Sequence, residues 1–332
     1  MIKLGIIGTN WITQQFIDAA NLTKKYKLVT IYSRHSVTAK KFAYKNHVDE
    51  IFTELKDFFL KGSFDTVYIA SPNNLHYKQA KLAIKYQKNL IVEKPAFENP
   101  QQMSDILDCL KNSDVKYFEA ARNIHINNFH LIQDQIKKMS VIQGAEFTYS
   151  KYSSRYDKVL AGEEPNVFSL NFAGGALQDL GVYTVYDAIA LFGKPKKVFY
   201  YPQIISTGVD GKGTAILKYK KFVVVLNFSK ISNSNIFSEI YGLKDYISID
   251  DAGEINKAIY FNNKGNKIVL GNDILKNPMF AEAKDFAKVI NNFSNLDNQR
   301  VYFYWLSLSK IVNQVIYRLR KSAGIWFTDE RN

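Results

Sequence analysis

Short apolar segments alternate with amphipathic segments along the first 120 residues of the chain. Two amphipathic segments, residues 77–88 and 100–111, predict helices, and the second has apolar side chains at i, i+3, i+4 and i+7. The apolar runs predict strands at residues 3–8, 28–33, 66–71, 89–93 and 115–120. This alternation is typical of a parallel, doubly wound α/β sheet with right-handed crossovers. We therefore expect a first domain over residues 1–121.

The pattern changes after Arg122. A helix near Phe129, a strand at residues 145–149 and the pair Gly174-Gly175 lead into a β-rich region. Its predicted strands are residues 197–205, 213–219, 222–229, 237–241, 246–249 and 258–261. Turn residues such as Asp210-Gly211 separate them, which predicts a large, mostly antiparallel open sheet. Helices at 279–292 and 301–321 complete an expected α+β domain over residues 122–332.

The composition is that of an ordinary globular protein. With 332 residues, 46% of them hydrophobic and 23% charged, the chain is long enough for about two domains. The start of the sequence does not resemble a secretory signal, and no run approaches the roughly 20 apolar residues of a membrane span. We expect a cytoplasmic protein without membrane contacts. Cys109 lies among apolar residues at helical spacing, which favours a packed thiol.

The net charge of +13 raises the question of nucleic-acid binding. The lysines are scattered over amphipathic segments, as at Lys78, Lys81, Lys85 and Lys88, which indicates a solvated helix face. No helix-turn-helix, zinc or aromatic-platform signature accompanies them. An anionic cofactor or small-molecule substrate is the better use of this charge, and no nucleic-acid partner is expected.

The first predicted strand ends in a partial dinucleotide fingerprint. Gly8 suits a tight turn, and Asn10 stands where a second glycine is usual. Asparagine can replace glycine there because it tolerates a positive φ better than most residues. Thr9, Trp11 and Ile12 complete the segment before the next helix. A pyrophosphate would lie at that helix N-terminus, held by free N–H groups.

The second predicted strand is followed by Ser33-Arg34-His35-Ser36. A site that prefers NAD usually carries an acidic residue here for the ribose diol. Ser33 and Arg34 instead suit a 2′-phosphate by hydrogen bonding and charge, so the sequence predicts NADP, with NAD possible. The alternative is that Arg34 is a solvent-facing loop residue and that either nucleotide binds.

The strand at residues 89–93 leads into Glu93-Lys94-Pro95. A lysine at the carboxyl end of a parallel strand faces the crevice where α/β sheets bind ligands. Glu93 can orient the ammonium through a charge-assisted hydrogen bond, and the proline restricts the turn. Lys94 is therefore a candidate catalytic residue; by itself, the tripeptide also fits an ordinary loop.

Three motifs occur in order along the chain: Ala70-Ser71-Pro72-Asn73-Asn74-Leu75-His76, Glu93-Lys94-Pro95, and Gly174-Gly175-Ala176-Leu177-Gln178-Asp179-Leu180-Gly181-Val182-Tyr183. Together they resemble the Gfo/Idh/MocA family, the glucose-fructose oxidoreductase and inositol dehydrogenase relatives, over essentially the whole chain. The resemblance implies a Rossmann domain followed by an α/β domain whose open sheet often forms the subunit interface. We accordingly expect a homodimer or a higher homo-oligomer.

The resemblance also assigns roles to single residues. Lys94 matches the catalytic lysine of the family and Asp179 its site aspartate, while Tyr183 stands where many members have histidine. Tyrosine at this place, with Glu119-Ala120 at the end of the fifth predicted strand, is similar to the glucose-fructose oxidoreductase and dihydrodiol dehydrogenase branch. Ser71, Pro72, Asn73, His76 and Glu93 are expected at the cofactor. His76 is equally suited to a place near the nicotinamide or to capping a helix.

The chemistry of these side chains supports the same hypothesis. Asp179 and Tyr183 are four residues apart on a predicted helix and would share a face. When an alcohol carbon gives up hydride, its hydroxyl proton must leave, and a tyrosine can take it if an ammonium such as that of Lys94 lowers its pKa from about 10. Asp179 would orient the lysine or a second hydroxyl. The alternative is that Tyr183 is one of many structural tyrosines.

These observations predict an NADP-preferring oxidoreductase that interconverts a carbonyl and an alcohol on a small polyhydroxylated molecule, such as a sugar or a diol. A sensor or regulatory protein that binds the nucleotide without turnover is the alternative. No set of Cys, His and carboxylate residues has the spacing of metal ligands, so no metal is predicted.

Overall fold

The computed structural model describes residues 1–330, which form two compact units. Within these residues the first unit contains a six-stranded parallel sheet and the second an eight-stranded, mostly antiparallel sheet. The predicted fold class, a doubly wound domain followed by an α+β domain with a large open sheet, is confirmed. None of the helices in this part of the chain has the length and apolar character needed to cross a membrane.

The parallel sheet has the strand order β3-β2-β1-β4-β5-β6. Its strands are β1 (Ile2–Ile7), β2 (Tyr26–Tyr32), β3 (Glu50–Phe52), β4 (Thr66–Ile69), β5 (Asn89–Glu93) and β6 (Tyr117–Ala120). The helices between them are α1 (Trp11–Thr23), α2 (Ser36–Asn46), α3 (Leu55–Lys61), α4 (Asn73–Lys85) and α5 (Pro100–Lys111). All four residues of β4 are buried, as expected for a central strand covered on both faces. The three-residue strand β3 was not predicted.

Local sequence explains where α5 begins. The Asn99 side chain accepts a hydrogen bond from the Gln102 amide at 3.0 Å, and Pro100 occupies the first helical position, where its missing N–H costs nothing. Met103, Ile106 and Leu110 then form the buried face that packs on the sheet. The predicted bounds of this helix, residues 100–111, agree with the structure.

The second unit begins with a 3₁₀ turn (Arg122–Ile124) and α6 (Asn127–Ile136). The order of its sheet is β14-β13-β12-β11-β7-β10-β9-β8. The strands are β7 (Gly144–Ser150), β8 (Lys197–Ile204), β9 (Asp210–Lys218), β10 (Val223–Ser229), β11 (Ser238–Tyr241), β12 (Tyr246–Ile249), β13 (Ala258–Phe261) and β14 (Lys267–Gly271). Its other helices are α7 (Tyr156–Leu160), 3₁₀ turns at Asn166–Phe168 and Leu170–Phe172, a π-helical turn (Leu177–Gly181), α8 (Val182–Phe192) and a terminal 3₁₀ turn (Thr328–Glu330).

The structure differs from the predicted pattern of this sheet at two places. Asp210 and Gly211 were expected in a turn, but they are the first residues of β9, and Asp210 is buried. A hydrogen bond from the Leu177 amide to the Asp210 carboxylate explains this placement, because that long-range contact overrides the local turn preference of Asp-Gly. The edge strand β14 was not predicted.

The last two helices are α9 (Phe280–Asn291) and α10 (Leu296–Ser322). Residues 277–309 belong to the first unit, together with residues 1–120, and residues 310–330 belong to the second. The predicted boundary at 121/122 had placed all of them in the second domain. The physical reason for the difference is that Ala283 and Phe286 of α9 share a buried cluster with Phe16 and Phe118.

Candidate active site

The residues predicted to bind the cofactor follow four strands that are adjacent in the parallel sheet. Strands β2, β1, β4 and β5 lie side by side, and the chain order reverses between β1 and β4. Ligands of open α/β sheets bind beyond the carboxyl ends of the strands at such a switch point. The first unit therefore brings together the predicted segments at residues 8–12, 33–34, 71–76 and 93–94.

Gly8 and Asn10 shape the turn after β1. Gly8 has φ +111°, and a Cβ there would collide with the Ala70 carbonyl at 2.6 Å, so only glycine fits. Asn10 has φ −94°, so the prediction of a left-handed Asn10 is wrong. Its side chain instead caps α1: Oδ1 accepts from the Thr13 amide at 3.1 Å, and Nδ2 donates to the Ala70 carbonyl at 3.1 Å. Asn10 thereby ties the end of β1 to the end of β4.

The start of α1 fits a dinucleotide. The amides of Trp11 and Ile12 lie in the first helical turn, where the helix itself offers no acceptor. No acidic side chain occupies this turn, and Gly8 leaves the backbone open to close approach. Thr9 is half-buried, and Trp11 is 67% exposed, so its indole lies on the surface beside these amides.

The end of β2 carries an exposed cation. Arg34 is exposed and Ser33 is half-buried, and α2 begins two residues after Arg34, at Ser36. The first turn of α2 contains no acidic residue. Guanidinium, hydroxyl and helix N-terminus are three groups that favour a phosphate, and the carboxylate typical of NAD-preferring sites is missing from residues 33–36.

His76 connects the loops after β4 and β5. Its ring is fully buried, with Nε2 2.8 Å from the Ser71 carbonyl oxygen and Nδ1 3.3 Å from the Pro95 carbonyl oxygen. Burial lowers the pKa of His76 to about 4, so the imidazole is neutral and donates one of these hydrogen bonds at a time. Both ring nitrogens thus face loop carbonyls rather than the amides of a helix end. Ser71, Pro72 and Asn73, at the start of α4, are half-buried.

Glu93 and Lys94 lie at the end of β5. The Tyr68 hydroxyl donates to the buried Glu93 carboxylate at 2.5 Å, and Lys94 is partly exposed. The Lys94–Pro95 peptide is cis. One residue further on, the Ala96 amide donates to the Glu119 carboxylate at 3.0 Å. The loop that presents Lys94 is therefore held by His76 on one side and by Glu119 of β6 on the other.

Asp179 lies in the second unit, on the π-helical turn that precedes α8. The predicted helix is present, but its first turn is wider than an α-helical turn, a feature that is frequent at functional sites. The Asp179 carboxylate forms an ion pair with Lys230, which immediately follows β10. Sequence reasoning missed Lys230, although a lysine after an apolar strand was the signal that identified Lys94.

Asp210 anchors the start of the same turn. Its carboxylate accepts hydrogen bonds from the Leu177 amide at 2.7 Å and the Tyr200 hydroxyl at 2.6 Å. Burial raises the pKa of Asp210 to about 6, although these hydrogen bonds and the charge of Lys230 oppose the increase. Gly175 has φ +121°, and a Cβ there would collide with the Asp210 carboxylate.

Tyr183, in the first turn of α8, is buried in an aromatic and cationic environment. Its ring lies edge-on to that of Tyr149, with 5.4 Å between centroids, and the Arg122 guanidinium lies 5.2 Å from its centroid. Arg122 also forms an ion pair with Glu254 at 3.0 Å. The Asn123 side chain donates to the Tyr183 carbonyl at 3.2 Å, so both backbone and ring are held in place.

Tyr149 is an additional residue that sequence reasoning did not single out. Burial raises the pKa of its hydroxyl to about 12, with a smaller contribution from Tyr183. The Lys151 ammonium lies 4.9 Å from the centroid of the Tyr149 ring and forms an ion pair with Asp251 at 3.4 Å.

Within residues 1–330, no cluster of three or more His, Cys, Asp and Glu side chains has the arrangement of a metal site.

The parallel sheet and the turns at its switch point have the form of a dinucleotide-binding Rossmann domain. Residues 2–121 match the model of an oxidoreductase family with an NAD-binding Rossmann fold. The chain belongs to this family, the Gfo/Idh/MocA oxidoreductases, and the predicted resemblance is confirmed. It is accordingly an NAD(P)-dependent oxidoreductase.

Relatives match over nearly the whole chain. The oxidoreductase YgjR of Escherichia coli is 35% identical, and the NADP(+)-dependent scyllo-inositol 2-dehydrogenase IolU of Bacillus subtilis is 34% identical; each alignment covers 98% of both chains. Among solved structures, the 3-ketoreductase KijD10 of Actinomadura kijaniata, in complex with NADP and TDP-benzene, has the same fold. Its TM-score is 0.84 at 17% identity, with 97% of both chains covered.

Proposed function

We propose that this oxidoreductase prefers NADP(H) and transfers hydride between the nicotinamide and a hydroxyl-bearing carbon of a small polyhydroxylated substrate, such as a sugar, cyclitol or diol. The observation that carries the proposal is the end of β2, where Ser33 and Arg34 replace the usual carboxylate. The substrate class is supported by relatives named as a scyllo-inositol 2-dehydrogenase and a trans-1,2-dihydrobenzene-1,2-diol dehydrogenase.

In the proposed cofactor site, the residues after each strand hold a different part of the dinucleotide. Gly8, Thr9, Asn10, Trp11 and Ile12 surround the pyrophosphate, and Ser33 and Arg34 bind the 2′-phosphate. The third and fourth segments border the nicotinamide half, and they comprise Ser71, Pro72, Asn73, His76, Glu93 and Lys94. His76 contributes by fixing the loops on either side of it, since its ring nitrogens face Ser71 and Pro95.

Three side chains carry the proposed chemistry, while the bound nicotinamide accepts or supplies hydride. The Lys94 ammonium donates a hydrogen bond to the substrate oxygen and stabilises the charge that develops there. Tyr183 relays the hydroxyl proton: during oxidation its oxygen accepts this proton while its own proton passes on to solvent, and reduction runs the same relay in reverse. Asp179 accepts a hydrogen bond from a second substrate hydroxyl, which suits a polyol. His76 and Glu119 preserve the position of Lys94 by holding Pro95 and Ala96.

Titration with NADPH and NADH, followed by nicotinamide fluorescence, tests the cofactor assignment. We expect tighter binding of NADPH, and we expect Arg34→Ala to remove most of the difference, because a charge-assisted hydrogen bond contributes about 1.5–3 kcal/mol, or roughly 10- to 150-fold. Lys45→Ala is the matched control: it removes the same charge from an exposed position at the other end of α2. If wild type bound NADPH and NADH with equal affinity, the NADP preference would be rejected. If Arg34→Ala kept the same difference between the two nucleotides as wild type, the role of Arg34 would be rejected.

A polyol screen with both nucleotides tests the reaction. Lys94→Ala should lower kcat by about 100-fold or more while nucleotide binding persists, because removal of one electrostatic donor to the reacting oxygen typically costs this much. Lys78→Ala, an exposed lysine of α4, is the control and should behave as wild type. Turnover that survives in Lys94→Ala would remove Lys94 from the catalytic set.

We further propose that the large sheet of the second unit forms a homodimer interface. Alternate residues of β8 are buried, while Phe199 and Tyr201 between them are exposed, which leaves apolar surface on the outer face. Light scattering at micromolar concentration should give twice the chain mass, and Tyr201→Lys should weaken the dimer. Leu160→Lys, at an exposed position of α7, should not. A monomeric wild type would refute the interface.

A further inference from the structure

Lys230 is a buried ammonium beside an exposed part of the candidate site. Its side chain is 3% exposed, whereas that of its partner Asp179 is 40% exposed. The ammonium also lies 4.9 Å from the centroid of the buried Phe168 ring. A buried charge is tolerated only when it is paired, so Lys230 depends on Asp179 more than the solvated carboxylate depends on Lys230.

The backbone of Lys230 is held by the sheet. Its amide donates to the Gly211 carbonyl at 2.9 Å, and its own carbonyl accepts from the Ser153 amide at 2.9 Å. A side chain that projects from a rigid element has a better defined position than one on a loop. The ammonium therefore provides a fixed charge against which the π-helical turn, and Asp179 on it, is aligned.

A second carboxylate connects Lys230 to the same turn. Asp210 accepts the Leu177 amide at the first residue of the π-helical turn, and the charge of Lys230 favours the ionised form of Asp210. Lys230 thus attracts the carboxylate that anchors the start of the turn as well as the one that projects from it.

We propose that Lys230 is a positioning residue: it holds Asp179 ionised and in a fixed orientation, so that Asp179 accepts a substrate hydroxyl hydrogen bond and does not take the reaction proton. The inference rests on the proposed function for the substrate, but the Asp179–Lys230 pair itself can be tested without turnover.

Thermal unfolding of the nucleotide-free protein tests the pair. Asp179→Asn should lower the Tm more than Lys230→Met, because it deprives a buried ammonium of its ion-pair partner. The double variant should have a Tm closer to wild type than Asp179→Asn alone. Additive Tm shifts would overturn the proposal. Lys151→Met is the control: it removes a half-exposed lysine, and its effect should add to that of Asp179→Asn.

Kinetics test the role of Asp179. Asp179→Asn should raise KM while kcat stays within about tenfold, because an amide oxygen still accepts a hydrogen bond; a proton acceptor would lose about 100-fold or more in kcat. In Lys230→Met, the acidic limb of kcat/KM should move up by about one pH unit or more, and Lys230→Arg should restore it. An acidic limb that does not move in Lys230→Met would overturn the assignment. A kcat that falls about 100-fold or more in Asp179→Asn would overturn it as well.

Other groups near the turn require one further control. The buried ionisable side chains on the elements packed against it are Tyr149, Tyr183, Tyr186, Asp187 and Asp210. Of these, Asp210 also interacts electrostatically with Lys230, which lowers its pKa. The acidic limb of kcat/KM should therefore be measured again in an Asp210→Asn background. The shift caused by Lys230→Met should persist there if Asp179 is its origin, and its disappearance would assign the limb to Asp210. If wild type oxidises no polyol, the proposed function is wrong. The Tm values of the single and double variants still test whether Asp179 and Lys230 form the ion pair.

Discussion

Gly175→Ala should destabilise the second unit through two separate effects at one atom. Gly175 has φ +121°, a region that costs a residue with a Cβ about 1–3 kcal/mol. The added methyl group would also displace the Asp210 carboxylate, which accepts from Leu177 and Tyr200. Disturbing these buried hydrogen bonds costs about 1–3 kcal/mol more. The total of roughly 2–6 kcal/mol has a middle value of about 4 kcal/mol.

Differential scanning calorimetry converts this figure into a measurable shift. About 2–4 °C per kcal/mol is expected for a unit of this size, so the Tm should fall by roughly 8–16 °C. Amide hydrogen exchange offers a local measurement, because the Leu177 N–H should lose protection together with its acceptor.

Gly162→Ala separates the two effects. Gly162 has φ +85°, and a Cβ there would have no neighbour within 4 Å, so only the backbone cost remains. Its Tm should fall much less than that of Gly175→Ala. Equal shifts in the two variants, or an unchanged exchange rate at Leu177, would refute the argument that the Asp210 carboxylate requires glycine at position 175.

Three further predictions concern the titrating and loop-holding residues. Burial raises the pKa of Asp210 from 3.8 to about 6, so the folded protein binds this proton more tightly than the unfolded one. The free energy of unfolding should therefore decrease by about 2 kcal/mol as the pH rises from 4 to 6, and urea titrations of Asp210→Asn should lack this component. His76→Gln should lower kcat about 10- to 100-fold, because the loop that carries Lys94 loses one of its two anchors. The pH–rate profile should neither gain nor lose a limb near pH 6.5, since the buried imidazole is neutral. A lost limb would instead make His76 a proton donor or acceptor. Glu119→Ala should lower kcat and leave the NADPH dissociation constant unchanged. Glu119→Gln keeps an acceptor for the Ala96 amide, so its kcat should stay near that of wild type. Equal losses of kcat in the two variants would show that the negative charge of Glu119 is what matters.

The sequence predicted those parts of the molecule that depend on neighbouring residues. The bounds of α5 follow from Asn99, Pro100 and the apolar spacing behind them, which are all local. Lys94 was identified because it directly follows an apolar strand, and strand ends in a parallel sheet share one edge. For the same reason, the four cofactor segments, each of which follows a strand, were expected at one edge of the sheet.

The sequence did not predict contacts between distant residues. Lys230 lies 51 positions from Asp179, and nothing near either residue indicates the pair. Asp210 was interpreted as a turn residue because Asp-Gly favours turns locally; its burial depends on the amide of Leu177. The helix predicted at residues 279–292 was assigned to the second domain, because a helical pattern does not identify the surface that covers the helix.

The discontinuous first unit has a consequence for synthesis of the protein. Once the ribosome has translated residue 120, all six strands of the parallel sheet have been made, yet Ala283 and Phe286, which pack with Phe16 and Phe118, have not. Part of the apolar surface of the nucleotide-binding unit therefore stays uncovered while residues 121–276 are translated. A nascent chain stalled in this interval should attract chaperones that bind apolar surface, and should become resistant to protease only after α9 has left the exit tunnel.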